Sequence, residues 1–328
     1  MKLATLKDGS RDGRLLLVSR DLVSARIAQA VSTLQAAIER WDELAPLLEA
    51  EYAALNEGTL ADSFPFDPAQ VMAPLPRAYQ FVDASAFLNH GQIMERAYDL
   101  NIKKQAGVPI LVQRQGDDFR GPCEAYSFCA ESENCDFEGE VAVVLDDVPM
   151  GVDAVQAGNH IKLFLLLNDV SMRAHLFREL SMGFGLINAK PATVFAPVAV
   201  TPDELGSAWR DGRVHLDLQV TRNDQWFGHP NGAEMDFSFG ELIRHLAYNR
   251  KLGAGTVLAS GTFSNRGYRE VGSACLAERR AIEKLELGES CTAFMRHGEV
   301  LRFEMFGLDG KSVFGAIEQR FVVQESGA

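Results

Sequence analysis

The stretch DFEGEVAVVLDD, residues 136–147, poses the question on which the fold and the chemistry both turn. Glu138 and Glu140 stand two positions apart, directly before the apolar run 141–145. On a strand, residues two apart share a face. The two carboxylates therefore stand side by side at the mouth of a buried strand. Like charges that close repel and resist losing their water. Something must hold them together.

Similar short β-like runs fill the chain beyond residue 75: VPILVQRQG, IKLFLLLNDV, ATVFAPVAV, VHLDLQVTRN, TVLASGTF, VLRFEMFG and FGAIEQRFVV. Gly-containing loops separate them. Two stretches read as helices, HGQIMERAYDLNIKKQ (90–105) and FSFGELIRHLAYNRKL (237–252), the second with Leu242, His245, Leu246 and Asn249 at helical steps. Many strands with few helices predict an α+β, mostly β fold, a mixed β-roll or barrel.

The first part of the chain has another texture. GRLLLVSRD (13–21) reads as a strand. Ser24 is placed to cap a helix whose apolar residues are Ile27, Val31, Leu34, Ile38 and Trp41. A second helical stretch, 42–58, stops at Gly58. The Pro-rich FPFDPAQVMAPLPRAYQ (64–80) reads as a linker or extended entry. We therefore divide the chain into a small α/β N-terminal domain, 1–75, and a catalytic domain, 76–328. The first carries no evident chemistry and reads as a packing or dimer module.

Composition narrows the class. With 328 residues and 47% apolar content the chain can bury a large core, and its formal charge of −13 argues against nucleic acid and anionic membrane surfaces as partners. No secretory h-region and no apolar run of ~18 residues is seen, which predicts a cytoplasmic protein. Cys123, Cys129, Cys135, Cys275 and Cys291 lack CxxC spacing and read as free thiols, not a zinc site.

A second acid ends the apolar run IKLFLLLND at Asn168-Asp169, and a third, Asp83, opens QFVDASAFLNH, with His90 seven residues on. A carboxylate at the end of a buried strand is costly unless it is bonded or ligates a cation. Oxygen ligands without cysteine imply a hard divalent ion: Mg²⁺, Mn²⁺ or Ca²⁺. Four carboxylates overcharge such an ion, so Lys190 or Arg173 would help balance it. Singly, each feature is ordinary: a solvated ExE face, a turn Asp, a surface His. Their order is what carries information.

That order resembles the fumarylacetoacetate hydrolase family. The motifs are Asp83 with His90, FEGEVAVVLDDV, NDVSMR, AKPATVFAPVAV, LASGTFSNRG and GSACLAERRAIE, spread over roughly residues 75–325. The resemblance implies a metal held by Asp83, Glu138, Glu140 and Asp169, which answers the opening question. It implies hydrolysis of a 2,4-diketo acid, with His90 as the base that deprotonates water. An imidazole titrates near ~6.5, which suits that task at neutral pH. Glu278 matches the acid that orients the base, with Glu95 as a rival. Lys190 matches the lysine beside the metal, Arg173 the arginine after the ligand Asp, and Thr262 a hydroxyl in the Gly-Thr turn.

Departures also count. Ser85 and Leu176 stand where full-length fumarylacetoacetases carry a tyrosine and a glutamine. A second substrate-facing tyrosine is missing near Arg114. Arg114 or Arg96 would then bind a distal carboxylate. Fumarylacetoacetate is the first substrate the resemblance suggests. Acylpyruvate hydrolysis, oxaloacetate decarboxylation and meta-pathway isomerase or hydratase chemistry use the same site. The family likeness also implies a homodimer. FRELSMGFGLI (177–187) is a candidate mobile segment.

Overall fold

The computed structural model describes residues 1–99 and 105–324. Its centre is the strand Gly139–Leu145, buried at every position. Val141, Val143 and Leu145 enter one apolar cluster, while Ala142 and Val144 enter another on the opposite face. A strand covered on both faces needs an unbroken apolar run, which is what 141–145 supplies.

This strand lies inside an open eleven-stranded sheet. From one edge the order is Phe64–Pro65, Ser24–Ile27, Arg14–Val18, Lys2–Leu6, Ala199–Val200, Ile161–Asn168, Gly139–Leu145, Val257–Ala259, Phe81–Ala84 and Leu111–Arg114, with Val194–Phe195 also paired to Ile161–Asn168. The N-terminal strands are thus not a separate layer, since Lys2 and Leu3 pair with Val200 and Ala199. The helices Leu34–Glu39 and Trp41–Asn56 pack Leu34, Ile38, Leu48 and Leu55 onto one face of the sheet. A five-stranded sheet, ordered Gln225–Gly228, Leu218–Arg222, Val300–Met305, Ile317–Val323 and Tyr126–Phe128, covers the other. The fold is a mixed α and β architecture, with both sheets open.

Several expectations need correction. Ser24 does not cap a helix: Ser24–Ile27 is a strand hairpinned onto Arg14–Val18. The first helix begins at Leu34, capped by the Thr33 hydroxyl, which accepts from Ala36 N–H at 3.2 Å. The helical spacing from Ile27 to Trp41 is real only from Leu34 onward; cross-strand pairing claims Ile27. The helix starting near His90 is Leu88–Tyr98, closed by Asp99 in the left-handed region, and the remainder of that predicted helix, 100–104, lies outside the described residues. The candidate mobile segment 177–187 belongs mostly to the helix Arg173–Met182. The turn after it is pinned by Glu179, whose carboxylate accepts from the N–H groups of Ile187, Asn188 and Ala189. The helix Phe239–Leu246 forms as expected, with a capping box between Ser238 and Glu241.

Candidate active site

Strand pairing gathers the acids. Antiparallel pairing sets Glu140 opposite Leu167 and Gly139 opposite Asn168, so the start of one buried strand meets the end of the next. Asp169 follows at once, and its N–H donates to the Glu138 carbonyl at 2.8 Å. Parallel pairing sets Asp83 opposite Ala259, which in turn faces Ala142. Oxygens of Asp83, Glu140 and Asp169 consequently lie within 4.8 Å of one another.

Two glycines make this approach possible. Gly139 lies so close to Leu218 that a Cβ there would meet Leu218 Cδ2 at 2.3 Å. Gly261 adopts φ +83°, and a Cβ there would meet the Ala84 carbonyl oxygen at 2.3 Å. Its N–H donates to Glu140 Oε2 at 2.9 Å and so fixes that carboxylate.

Glu138 stands apart from the triad. Lys190 Nζ donates to Glu138 Oε2 at 2.6 Å, and Arg173 Nη2 donates to Glu138 Oε1. Burial pushes the Glu138 carboxyl up, but these two cations outweigh it and hold the group below the ordinary carboxylate range. Lys190 also donates to Asp169 Oδ2 at 2.6 Å, bridging the two acids. Burial works against its charge, and Asp169 and Glu138 more than restore it, leaving Lys190 above its usual value.

Arg114 is not a free anchor for substrate. Its guanidinium grips Asp169 with two hydrogen bonds, one of 2.8 Å from Nη1 to Oδ2 and one from Nη2 to Oδ1. Both side chains are buried, at 1% and 0% exposure. Thr193 adds a hydroxyl to Asp169 Oδ1 at 3.2 Å. Arg96 lies on an exposed face of the helix Leu88–Tyr98. Ser85 is exposed, and its N–H donates to the Ile110 carbonyl. Thr262 is buried between Gly261 and Phe263, whose N–H donates to the Gly139 carbonyl.

The base pair is assembled by two helices. His90 sits in the first turn of Leu88–Tyr98 and Glu278 in the first turn of Leu276–Leu287. Ile93 and Ala97 pack against Ala281 and Ile282. His90 Nδ1 lies 2.9 Å from Glu278 Oε2, the imidazole 23% exposed and the acid 0%. Of the two partners weighed for His90, Glu278 is the one held at this distance, and Glu95 lies one turn further along the histidine's helix. With the Nδ1 proton directed at Glu278, Nε2 is the nitrogen left to act as a base.

Sequence reasoning passed over Asp136 and Asp236. Asp136 accepts from Arg173 Nε, from Leu276 N–H and from Ala277 N–H. Asp236 accepts from Leu88 N–H at 2.7 Å and so starts the helix that bears His90. The signal for Asp136 is legible: the two-residue step that singles out Glu138 and Glu140 reaches it as well. Asp236 has no such signal, being 148 positions from its partner.

The donor set fits a divalent cation. Asp83 Oδ1 and Glu140 Oε1 are buried oxygens without a hydrogen-bond partner, and both belong to the triad. Burial, then the charge of Asp169, holds the Asp83 carboxyl up at about 7. Burial, then Asp83 and Asp169, pushes Glu140 far above the usual range. Five acids, Asp83, Asp136, Glu138, Glu140 and Asp169, face three cations, Arg114, Arg173 and Lys190. Ionised, the cluster carries an excess of two negative charges, which one divalent ion would neutralise. All-oxygen donors suit Mg²⁺, Mn²⁺ or Ca²⁺.

Known proteins share this fold. Residues 80–322 match the fumarylacetoacetate (FAA) hydrolase C-terminal family, and residues 1–77 match fumarylacetoacetase N-terminal domain 2. The chain belongs to the fumarylacetoacetate hydrolase family. It is 27% identical over 157 residues to a 2,4-didehydro-3-deoxy-L-rhamnonate hydrolase of Sphingomonas sp. (strain SKA58), covering 47% of this chain and 52% of that one. It is 26% identical over 161 residues to the oxaloacetate tautomerase YisK of Bacillus subtilis (strain 168), covering 48% and 49%. The matched stretch thus spans about half the length of each curated relative. The maleylpyruvate hydrolase of Sphingobium sp. SYK-6, solved with manganese(II) and pyruvate, shares the fold at TM-score 0.66 and 16% identity, covering 99% of this chain and all of that one. A 5-carboxymethyl-2-hydroxymuconate delta-isomerase from Mycobacterium smegmatis does so at TM-score 0.63 and 15% identity, with the same coverage. The proteins that this chain resembles thus carry the names of hydrolases, a tautomerase and an isomerase.

Proposed function

We propose that this protein is a divalent-metal-dependent hydrolase that cleaves a C–C bond in a 2,4-dioxo acid. The observation that carries the reading is the His90–Glu278 pair beside a triad of carboxylates, two buried and one half-buried, with unpartnered oxygens on Asp83 and Glu140. A hydrolase needs a base for water; decarboxylation can proceed without one.

Asp83, Glu140 and Asp169 would hold the cation, with Glu138 as a fourth acid within reach of the same cluster. A bound divalent ion supplies Lewis-acid polarisation of the substrate's carbonyls. His90 Nε2 takes a proton from water, whose oxygen attacks the acyl carbonyl. The C–C bond to the methylene carbon breaks, and the imidazolium returns its proton to that carbon. Glu278 supports the imidazolium while it holds the proton. Lys190 and Arg173, which bond the acids as Arg114 does, would stabilise charge on substrate oxygens.

Fumarylacetoacetate, whose two ketones stand in the same 1,3 relation but further from the carboxyl than in a 2,4-dioxo acid, would give fumarate and acetoacetate as in tyrosine breakdown and is one candidate substrate. Because Arg114 is committed to Asp169, the distal carboxylate anchor that this substrate needs has lost its best-placed residue. A plain acylpyruvate asks for no such anchor. Tautomerisation of a 2-oxo diacid is the second reading, favoured by the Bacillus relative. A homodimer remains the family expectation, and light scattering after size-exclusion chromatography tests it.

The deciding assay gives Mg²⁺- or Mn²⁺-loaded protein acetylpyruvate, fumarylacetoacetate and oxaloacetate separately, following the enol absorbance and the products. Metal-dependent formation of carboxylic acid and pyruvate from acetylpyruvate supports the hydrolase. Enol–keto exchange of oxaloacetate with no cleavage of either dioxo acid refutes it.

A further inference from the structure

We propose that Asp136 is a positioning residue that sets the base and the arginine arm of the site in one frame. This rests on the hydrolase reading above. Asp136 is fully buried, in the short strand Cys135–Asp136 that pairs with Ser171–Met172. Its Oδ1 accepts from Leu276 N–H at 2.8 Å. Its Oδ2 accepts from Ala277 N–H at 2.9 Å and from Arg173 Nε at 2.8 Å.

On one side, then, Asp136 caps the helix Leu276–Leu287 at the two peptide units directly before Glu278. A helix start leaves its first N–H groups without partners, and a carboxylate there satisfies them and suits the helix dipole. Cys275, at the cap position, offers only its sulfur, 3.3 Å from Glu278 N, and a thiol sulfur is a weak acceptor. The direction in which Glu278 leaves the helix therefore depends on Asp136. On the other side Asp136 holds Arg173, whose Nη2 reaches Glu138. The backbone reinforces the junction: Glu138 bridges to Cys275, and Gly139 N–H donates to the Ala274 carbonyl at 3.0 Å.

A simple structural cap does not need this chemistry. A serine at the cap position would satisfy the helix without burying a charge. A buried ion pair gives little net stability over an apolar replacement. Here the buried carboxylate sits where the base pair and the metal-side acids meet, and three N–H donors converge on it. Only an acceptor on both oxygens satisfies all three; an amide at this position turns its NH₂ toward a donor.

The test is a double-mutant cycle of Asp136→Asn and Glu278→Gln, with acetylpyruvate turnover on Mn²⁺-loaded protein as one readout. We expect Asp136→Asn alone to lower kcat at least ~30-fold, and to add less than ~3-fold once Glu278→Gln is present, because residues acting through one another are not additive. Equal losses in both backgrounds, or undiminished turnover in the single variant, overturn the proposal. The second readout needs no substrate: the downfield proton resonance of His90 Nδ1–H, which reports its bond to Glu278. We expect it to disappear or move upfield in Asp136→Asn. An unchanged resonance overturns the proposal even if no dioxo acid is turned over by the wild type, which separates this failure from failure of the hydrolase reading. Should Asp136→Asn not fold, Asp136→Ser, which keeps one helix cap but releases Arg173, is read by the same two measurements with the same outcomes.

Discussion

His90 and Glu278 are 188 positions apart in the chain and 2.9 Å apart in space. Their meeting depends on apolar packing between two helices, through Ile93, Ala97, Ala281 and Ile282. His90→Ala should lower hydrolytic turnover by ~10²–10⁴-fold, the usual contribution of a positioned base. Mn²⁺ affinity, read by electron paramagnetic resonance, should stay near wild type. Full turnover in His90→Ala would move the base elsewhere.

Metal affinity should rank the acids. Asp83→Asn and Glu140→Gln each remove an oxygen of the triad and should weaken Mn²⁺ binding by more than ~100-fold. Glu138→Gln disturbs a carboxylate already shared by Lys190 and Arg173. It should cost ~10–100-fold, the range of an outer partner. Titration calorimetry checks the order, and three equal losses would make Glu138 a ligand of the same rank.

The metal-free protein should lose stability as pH rises from about 4 to about 7. Unfolded carboxyls titrate near ~4, whereas Asp83 is held up at about 7 and Glu140 higher. Within that window the native state keeps protons that the unfolded chain has lost, so stability falls with rising pH. Below it both states are protonated; above it the Asp83 share is constant. Cation binding must expel these protons, so the Mn²⁺-induced rise in melting temperature should be larger at about pH 8 than at about pH 5.5. Equal rises at both values would show that the triad is ionised before the cation arrives.

Arg114→Met tests the reassignment of that residue. It leaves a fully buried Asp169 with Lys190 and Thr193 as its remaining side-chain donors, so the loss should fall below the ~3–5 kcal/mol of a buried pair broken outright. Urea unfolding of the metal-free variant should register that loss, and Mn²⁺ should recover part of it by binding the native state. A variant as stable as wild type, with only KM altered, would return Arg114 to substrate binding.

How much of this is legible in the sequence depends on range. The strands Gly139–Leu145 and Ile161–Asn168 announce themselves because burial on both faces demands continuous apolar runs. The helix Phe239–Leu246 announces itself through Leu242, His245 and Leu246 at helical steps. Asp83, Glu140 and Asp169 could be grouped because each acid adjoins a strand whose burial makes it conspicuous. Ser24–Ile27 was hidden, since its pairing with Arg14–Val18 overrides a helical spacing that resumes at Leu34. Arg114 reads as a loose cation beside a polar loop; only the fold reveals Asp169 as its partner, 55 positions away. Glu278 resembles a surface acid in the run AERR, yet it is fully buried because Leu276, Ala277, Ala281 and Ile282 turn that side of the helix inward.

The strand Lys2–Leu6 lies between Arg14–Val18 and Ala199–Val200, so the boundary near residue 77 crosses a continuous hydrogen-bonded sheet. A cut at that point would remove the pairing of Lys2 and Leu3 with Val200 and Ala199. The larger fragment would present a bare strand edge and the apolar face of Ala142, Val144, Leu163 and Leu165 to water. Such an edge is a template for pairing with other chains. The two matched segments therefore share one hydrogen-bonded sheet, and each covers apolar surface of the other.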